Sequence, residues 1–164
     1  MKQNKDEFSE IFDSICTTQD AREVLEDMTA LSESIFKKDA QGVEQKIETM
    51  LPFILADAMK QYCKEKQISL QNTTAFVDFI EKLAKALRDL PVMTFYMAFS
   101  PNEQYVKQLS ALACRYGNQR VLLDIIVDKK LIGGAMIAWK GVYKDYSLRK
   151  RVDEQYKETK GLGL

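Results

Sequence analysis

The chain has 164 residues, of which 46% are hydrophobic and 29% are charged, as is typical of a globular domain or a small pair of domains. Its 24 basic side chains balance 24 acidic ones, so the formal net charge of zero provides no overall attraction for nucleic acid or anionic lipid. It contains no histidine, the side chain most often used for proton transfer near neutral pH and for metal binding, which argues against many enzyme classes.

Charge is distributed unevenly along the chain. Residues 1–89 carry a formal charge of −5, from 12 basic and 17 acidic side chains, whereas residues 90–164 carry +5, from 12 basic and 7 acidic side chains. This asymmetry predicts two regions with different partners, or one region that partly complements the other.

The sequence predicts a soluble, cytoplasmic protein without direct membrane insertion. No apolar run approaches the ~18 residues of a membrane-spanning helix, and the first residues are charged, unlike a signal peptide. Three isolated cysteines lie in apolar helical patterns and are expected to be buried free thiols in a reducing compartment: Cys16, Cys63 and Cys114.

The first helix is expected near the N-terminus, where apolar residues recur with the 3.6-residue period of an amphipathic helix. Its stripe comprises Phe8, Ile11, Phe12, Ile15 and Cys16. The polar segment 17–20 then breaks this helix and supplies the N-cap of a second helix, which turns Leu25 inward among other apolar residues.

Further helical stripes continue to residue 89. Asp39 is expected to cap the third stretch, and Pro52 must kink this helix or restart it, with Ile54 on its apolar face. Asn72 is expected to cap the last of these helices. The sequence therefore predicts an all-helical N-terminal bundle over residues 1–89.

At Pro91 the apolar period changes from 3.6 to 2, which predicts a strand over residues 92–99 with Phe99 on its apolar face. A capping box beginning at Ser100 is expected to open a helix that turns Leu112 and Tyr116 inward, among other apolar residues. This helix is expected to end at a left-handed C-cap, Gly117.

The remaining elements complete a small sheet. Residues 121–127 form a run too apolar for an exposed edge strand, and residues 131–139 and 142–146 are expected to pair as a hairpin. Lys140 and Gly141 form the two-residue turn, and a last helix is expected from Ser147 to about residue 158. The predicted fold class is α+β, a helical bundle followed by a small mixed α/β domain over residues 90–164.

Catalytic, cofactor-binding and metal-binding sites are not predicted. Asp124 and Asp128 share one face of a strand about 13 Å apart, at ~3.3 Å per residue, which is too far for a glycosidase pair. The Gly133-Gly134 pair lacks the further glycines of a phosphate-binding loop. Such a pair within a strand marks a bulge or the close approach of another backbone, and here is expected to bend the strand beneath the helix after Ser100.

A basic cluster provides an alternative function. Arg149, Lys150 and Arg151 follow Trp139, Tyr143 and Tyr146, and aromatic residues beside cations on a sheet are features of single-stranded RNA binding. Acidic residues interleave these cations, however, so a solvated helix face is favoured over nucleic-acid binding.

The ordered motifs in residues 92–154 resemble the C-terminal signature of the delta subunit of F-type ATP synthases, whose mitochondrial homologue is the oligomycin-sensitivity-conferring protein. An acidic residue precedes a Leu-Ile-Gly-Gly strand, a glycine turn follows, and an Asp-x-Ser element with basic residues opens the last helix. The signature residues are Asp128, Leu131, Ile132, Gly133, Gly134, Gly141, Asp145, Ser147, Arg149 and Arg151. We expect Asp145 and Ser147 to cap the last helix and to set its exit angle from the sheet.

The resemblance implies a non-catalytic subunit of the peripheral stalk of a prokaryotic ATP synthase. In this family the N-terminal domain holds N-terminal segments of the alpha subunits, and the C-terminal domain holds the C-terminal helices of the b subunit. It also implies a position on the cytoplasmic face of the membrane, held there through the complex. The alternatives are a stand-alone protein adaptor that reuses this fold and a small RNA-binding domain.

Overall fold

In the computed structural model the chain divides into two compact units, Met1–Leu90 and Pro91–Leu164. The structure describes residues 7–37 and 42–149, together with residues 152, 155 and 156. Within this part, the first unit is built from helices, and the second contains a four-stranded sheet and a long helix. The predicted α+β fold class is therefore confirmed. None of the described helices is long and apolar enough to cross a membrane.

The first unit contains a short 3-10 helix and four α-helices. Their bounds are Ile11–Ser14 for the 3-10 helix, Thr18–Ile35 for α1, Val43–Met50 for α2, Phe53–Glu65 for α3 and Thr73–Arg88 for α4. Two predicted caps are confirmed. Thr17 Oγ1 accepts a 3.0 Å hydrogen bond from the amide of Asp20, whose carboxylate accepts one of 2.9 Å from the amide of Thr17. Asn72 accepts a hydrogen bond from the amide of Ala75.

The predicted first α-helix is wrong, although all five residues of its apolar stripe are buried. The described chain forms a turn followed by the 3-10 helix, and Ile15 is already extended (φ −98°, ψ 102°). The cap of α1 requires Thr17 to be extended as well, so the helical run must end before this residue. A short run of this kind adopts the tighter 3-10 geometry.

Pro52 restarts the helix, as one of the two predicted outcomes, and this changes which residues face inward. Leu51 and Pro52 are both extended, so the helical phase of α3 is independent of that of α2. Consequently Leu55 is buried, whereas Ile54, which the sequence placed inward, is 67% exposed. The predicted cap Asp39 lies outside the described residues, and Gly42 is the N-cap of α2.

An aromatic cluster joins the first described residues to α3 and α4. The rings of Tyr62 and Phe79 stack with centroids 5.3 Å apart, and the Phe8 ring lies 5.4 Å from Tyr62. The Tyr62 hydroxyl donates a 3.0 Å hydrogen bond to the carboxylate of Glu7. Burial, followed by this hydrogen bond, raises the pKa of Tyr62 to about 12, and burial raises the pKa of Cys63 to about 11.

We expect the helical unit to lose stability between about pH 9 and pH 12. The unfolded chain releases the protons of Cys63 and Tyr62 near their ordinary pKa values of 9.0 and 10.0, whereas the folded chain retains them, so the free energy of unfolding falls as pH rises through this range. Urea unfolding followed by circular dichroism at 222 nm, with a reducing agent present, measures this decrease. The decrease should be smaller in Tyr62→Phe; an equal decrease in that variant would contradict the assignment.

Lys46 is a buried cation that joins α2 to α1. It is only 3% exposed, and its ammonium donates a 2.6 Å hydrogen bond to the carbonyl oxygen of Ser34, in the last turn of α1. The last carbonyl groups of a helix have no partner within the helix, and the helix dipole makes this end favourable for a positive charge. Lys46 therefore stabilises the end of α1 and its packing against α2.

Replacing Lys46 with alanine should lower the free energy of unfolding by about 1–3 kcal/mol, because a charge-assisted hydrogen bond and the packing of a buried side chain are lost. Chemical unfolding measured by circular dichroism tests this expectation. Lys60→Ala is the matched control, since its ammonium pairs with Glu48 at the surface and such pairs contribute about 0–1 kcal/mol. Equal losses in the two variants would contradict a special role for Lys46.

The second unit contains four strands and one long helix in its described part. Their bounds are Val92–Met97 for β1, Glu103–Gly117 for α5, Leu122–Val127 for β2, Ala135–Trp139 for β3 and Val142–Asp145 for β4. The strand order is β2-β1-β3-β4. β1 is parallel to β2 and antiparallel to β3, which pairs in turn with β4. α5 forms the crossover that a parallel pair requires.

The core of the second unit lies on one face of this sheet. Alternate residues of β1 point to this face, as the period of 2 predicts, and pack against α5 and the start of β2. Its fully buried residues are Met93, Phe95, Met97, Ala113, Val121 and Leu123.

The prediction that residues 121–127 do not form an edge strand is wrong. Among the described strands β2 pairs only with β1, so it lies at one edge of the sheet. Leu122 and Leu123, at its start, are buried, whereas Ile126 and Val127, at its end, are at least 40% exposed. The apolar character of the run thus reflects burial at its start, where Val121 and Leu123 belong to the core beside α5, and not a central position in the sheet. Phe99 is also exposed, because β1 ends at Met97.

Both predicted caps of α5 are wrong by one or two residues. The N-cap is Asn102, which accepts a 2.8 Å hydrogen bond from the amide of Tyr105, so Ser100 lies outside the helix. At the other end Gly117 remains helical, and Asn118 adopts the left-handed conformation (φ 52°). Lack of space explains the glycine at position 117, since a Cβ there would lie only 3.0 Å from the Val121 side chain.

Candidate functional site

The first residues of the predicted signature form the loop between β2 and β3. The amide of Asp128 donates a 2.8 Å hydrogen bond to the carbonyl oxygen of Met97, and its carboxylate accepts one from the amide of Lys130. Leu131 is buried, whereas the neighbouring Ile132 is 75% exposed. Asp128 therefore closes a turn between β2 and β3.

The glycine pair permits a close approach of two backbone segments. Gly134 has a positive φ of 78°, and a Cβ there would lie 2.9 Å from the Cα atom of Ser147. A Cβ at Gly133 would lie 2.7 Å from the side chain of Leu148. The amide of Leu148 donates a 2.9 Å hydrogen bond to the carbonyl oxygen of Gly133, so the antiparallel ladder continues beyond β3 and β4.

This arrangement corrects part of the interpretation of the glycine pair. Gly133 and Gly134 precede β3 and do not lie within it, and the atoms nearest to them belong to residues 146–148 and not to α5. A close approach of another backbone is confirmed. The partner in this approach is the segment that follows β4, whereas Ile137 and Trp139 of β3 pack against the core that β3 shares with α5.

The Asp-x-Ser element turns the chain from the sheet into the last helical segment. The carboxylate of Asp145 accepts a 2.8 Å hydrogen bond from the amide of Ser147, whose side chain is buried. Residues 148, 149, 152, 155 and 156 are helical, and Arg149 is exposed. Arg151 lies outside the described residues. Asp145 thus supplies a side-chain acceptor at the start of this segment, as an Asx turn does.

The hairpin turn is confirmed as predicted. Lys140 and Gly141 have positive φ values of 48° and 78°, which are characteristic of the two-residue turns that match the twist of a hairpin. A Cβ at Gly141 would meet no atom within 4 Å. The structure therefore brings together Gly133, Gly134, Asp145 and Ser147 of the signature and places Gly141 at the opposite end of the hairpin.

A groove with a volume of about 650 Å³ lies between α1 and α4. Its floor contains almost fully buried apolar residues such as Met28 and Ile80, and its sides carry acidic and basic side chains, among them Glu33, Glu81 and Lys85. A second depression along α1 adjoins it. A groove of this kind can accept a partner helix.

An exposed apolar stripe follows the hairpin. Leu148, Val152 and Tyr156 are spaced four residues apart in the last helical segment and are 46%, 55% and 67% exposed. Residues at this spacing share one face of a helix. This face is available to a protein partner. The sequence does not distinguish such an exposed stripe from a buried one, because apolar residues at helical spacing are equally compatible with core packing.

A cavity of about 320 Å³ lies between α5 and the hairpin. Leu112 and Tyr116 border it from α5, and both are more than half exposed, although the sequence placed them inward. Val142, Lys144 and Tyr146 border it from the hairpin. This cavity is not among the features that the sequence predicts. The available signal was the alternation after the two-residue turn, which places these three residues on the face that carries the core.

The described residues include no group of three or more histidine, cysteine, aspartate or glutamate side chains that could hold a metal ion. The described surfaces combine apolar area with charged borders, as protein–protein interfaces do.

Comparisons with known proteins identify a family. The profile of the family described as "ATP synthase delta (OSCP) subunit" matches residues 2–158. A chain of the cryo-electron-microscopy structure of the Toxoplasma gondii mitochondrial ATP synthase hexamer is similar in structure over 84% of this chain and 86% of that chain, with 11% identity and a TM-score of 0.39. No curated protein matches the sequence significantly.

Replacing Gly134 with alanine should destabilise the second unit more than replacing Gly141. Both residues have φ near 78°, so each substitution incurs backbone strain of about 1–2 kcal/mol, but only at position 134 does the new Cβ also meet neighbouring backbone. Overpacking should add about 1–3 kcal/mol. Denaturant unfolding followed through the fluorescence of Trp139, the only tryptophan, reports on this unit. Equal losses would contradict the close approach.

Proposed function

The chain belongs to the ATP synthase delta (OSCP) subunit family, and we propose that it links the catalytic head of an F-type ATP synthase to the b-subunit stalk. The observation that carries this proposal is that the family match, over residues 2–158, extends across both units. A linking subunit needs two separate binding surfaces, and each unit presents one. Its contribution to ATP synthesis is mechanical: it resists the torque of the rotor and performs no chemical step.

The groove between α1 and α4 is our candidate for the contact with the head. An N-terminal segment of an alpha subunit would lie there as a helix, above the almost fully buried residues Met28 and Ile80 and between the charged side chains of the groove. The rims carry both signs of charge, from Glu33 and Glu81 to Lys85 and Arg88, so they select the orientation of the bound helix more than they increase its affinity.

The stripe formed by Leu148, Val152 and Tyr156 is our candidate for the contact with the b subunit. Its spacing of four residues matches the side-by-side packing of two helices, and aromatic and aliphatic residues at the centre of an interface contribute most of the binding free energy. The Gly134 approach and the Asx turn at Asp145 support this role, because they hold the chain against the hairpin just before the helical segment begins.

Association with the membrane would then occur through the complex, on the cytoplasmic face. The sharpest test is co-purification from gently solubilised membranes of the source organism, with a tag on a flexible linker at the N-terminus, followed by mass spectrometry of the eluted proteins. Alpha, beta and b subunits in stoichiometric amounts are expected. A protein that elutes alone would favour a stand-alone adaptor, and co-eluting RNA whose binding falls steeply with salt would favour an RNA-binding domain; either result contradicts the proposal.

The double substitution Leu148→Glu and Val152→Glu should reduce recovery of the b subunit at least about tenfold, because two apolar contacts are replaced by charges that lose hydration on binding. The affinity of the same full-length variant for a purified peptide from the N-terminus of the alpha subunit should not change, because the α1–α4 groove lies in the other unit. Arg149→Glu is the matched control, since it adds negative charge to an exposed residue next to the stripe. Undiminished recovery of the b subunit with the double variant would exclude this surface.

A further inference from the structure

One face of the sheet in the second unit is only partly covered by its helix. α5 packs on the face that carries Met93, Phe95 and Ile137. An α-helix is about 10–12 Å wide, whereas four strands about 4.8 Å apart present a broader surface. The uncovered part of this face is formed by β3 and β4, and it borders the cavity beside α5.

The register of the hairpin determines which side chains enter this cavity. Ile137 pairs with Lys144, and Trp139 pairs with Val142, so all four lie on the face that carries the core. Phe95 of the central strand pairs with Ile137 and contributes to the floor. The cavity is therefore built from regular elements of the fold.

Lys144 is the one charged residue among the described residues that line the cavity. Its ammonium lies 5.2 Å from the centre of the Tyr116 ring, so the side chain reaches from β4 towards α5 across the opening. Interaction with the Tyr116 side chain raises the pKa of Lys144 above its ordinary value of 10.5, at which the ammonium is already charged at neutral pH. In the described part of the chain no carboxylate forms an ion pair with it.

We propose that this cavity binds an amphipathic monocarboxylate of the medium-chain fatty acid class, with its acyl chain inside and its carboxylate paired with Lys144. Binding pockets of this kind combine an apolar lining with a few polar groups that orient the ligand. Since a water molecule occupies ~30 Å³ in the liquid, about 320 Å³ accommodates roughly ten non-hydrogen atoms, which corresponds to an acyl chain of about ten carbons.

The charge of the site selects the head group. One ammonium balances the single negative charge of a carboxylate, whereas a phosphate monoester carries about −1.5 to −2 at neutral pH. The site uses neither the α1–α4 groove nor the stripe of the last helical segment, so this inference goes beyond the proposed stalk function and is tested independently of it.

The test uses the purified full chain and the emission of Trp139, which is the only tryptophan and lines the cavity. The chain is titrated with three ligands that share a ten-carbon tail: decanoate, decanol and decyltrimethylammonium. We expect saturable changes in emission with decanoate, weaker binding of decanol, and the weakest binding of decyltrimethylammonium. Absence of a saturable change with decanoate would overturn the proposal.

Two substitutions of Lys144 sharpen the test, and because this residue is exposed both variants should fold. Lys144→Gln should weaken decanoate binding about three- to tenfold, the range of an exposed to partly desolvated ion pair, and leave decanol binding unchanged. Lys144→Glu should reverse the order of affinities, so that decyltrimethylammonium binds more tightly than decanoate.

Lys140→Gln is the matched control. Lys140 belongs to the same hairpin, and its ammonium lies 5.2 Å from the centre of the Trp139 ring, but it does not line the cavity. Its substitution should alter the starting emission spectrum and leave the affinity for decanoate unchanged. Equal weakening of decanoate binding by Lys140→Gln and Lys144→Gln would show that the net charge of the chain, and not a specific ion pair, determines the affinity. Equal affinity for decanoate and decanol would show that the carboxylate does not contribute to binding. Either result overturns the proposal.

Discussion

The second unit depends on the close approach of two backbone segments at the end of its hairpin. Gly134 can lie against residues 146 and 147 only because it lacks a Cβ, and the hydrogen bond from the amide of Leu148 to Gly133 then holds the two segments together. The carboxylate of Asp145 accepts a hydrogen bond from the amide of Ser147 at the same place. These contacts hold the segment after β4 against the segment before β3.

The width of one helix is a second constraint. α5 connects two parallel strands and covers the face beside them, and a single helix does not extend across the antiparallel hairpin as well. The apolar residues that the hairpin adds to this face therefore border an open cavity, and Leu112 and Tyr116 of α5 become its rim instead of core. The cavity is thus a consequence of a four-stranded sheet with one helix on this face.

The sequence predicted the elements best where the determining interactions are local. The Thr17 and Asn72 caps and the Lys140-Gly141 turn each depend on residues no more than four positions apart, and each is found as expected. The same reasoning failed where neighbouring elements share residues. The chain before the α1 cap forms a 3-10 helix and not the predicted α-helix. Pro52 starts a new helix with a different helical phase, so Ile54 is exposed and not buried. Position 117 requires glycine because space is limited there and not because of the backbone conformation, and the period of the apolar residues does not reveal such a limit.

By itself, the sequence determined the α+β class and the change of period at Pro91, because the alternation of apolar residues reports which face of a helix or strand is removed from water. It also determined that the signature glycines and Asp145 act on the backbone. Only the tertiary structure decided that β2 is an edge strand, that the glycine pair meets residues 146–148, and that Lys144 stands over a cavity. Strand order, close backbone contacts and uncovered faces depend on how distant elements pair, and a local pattern is compatible with several such pairings.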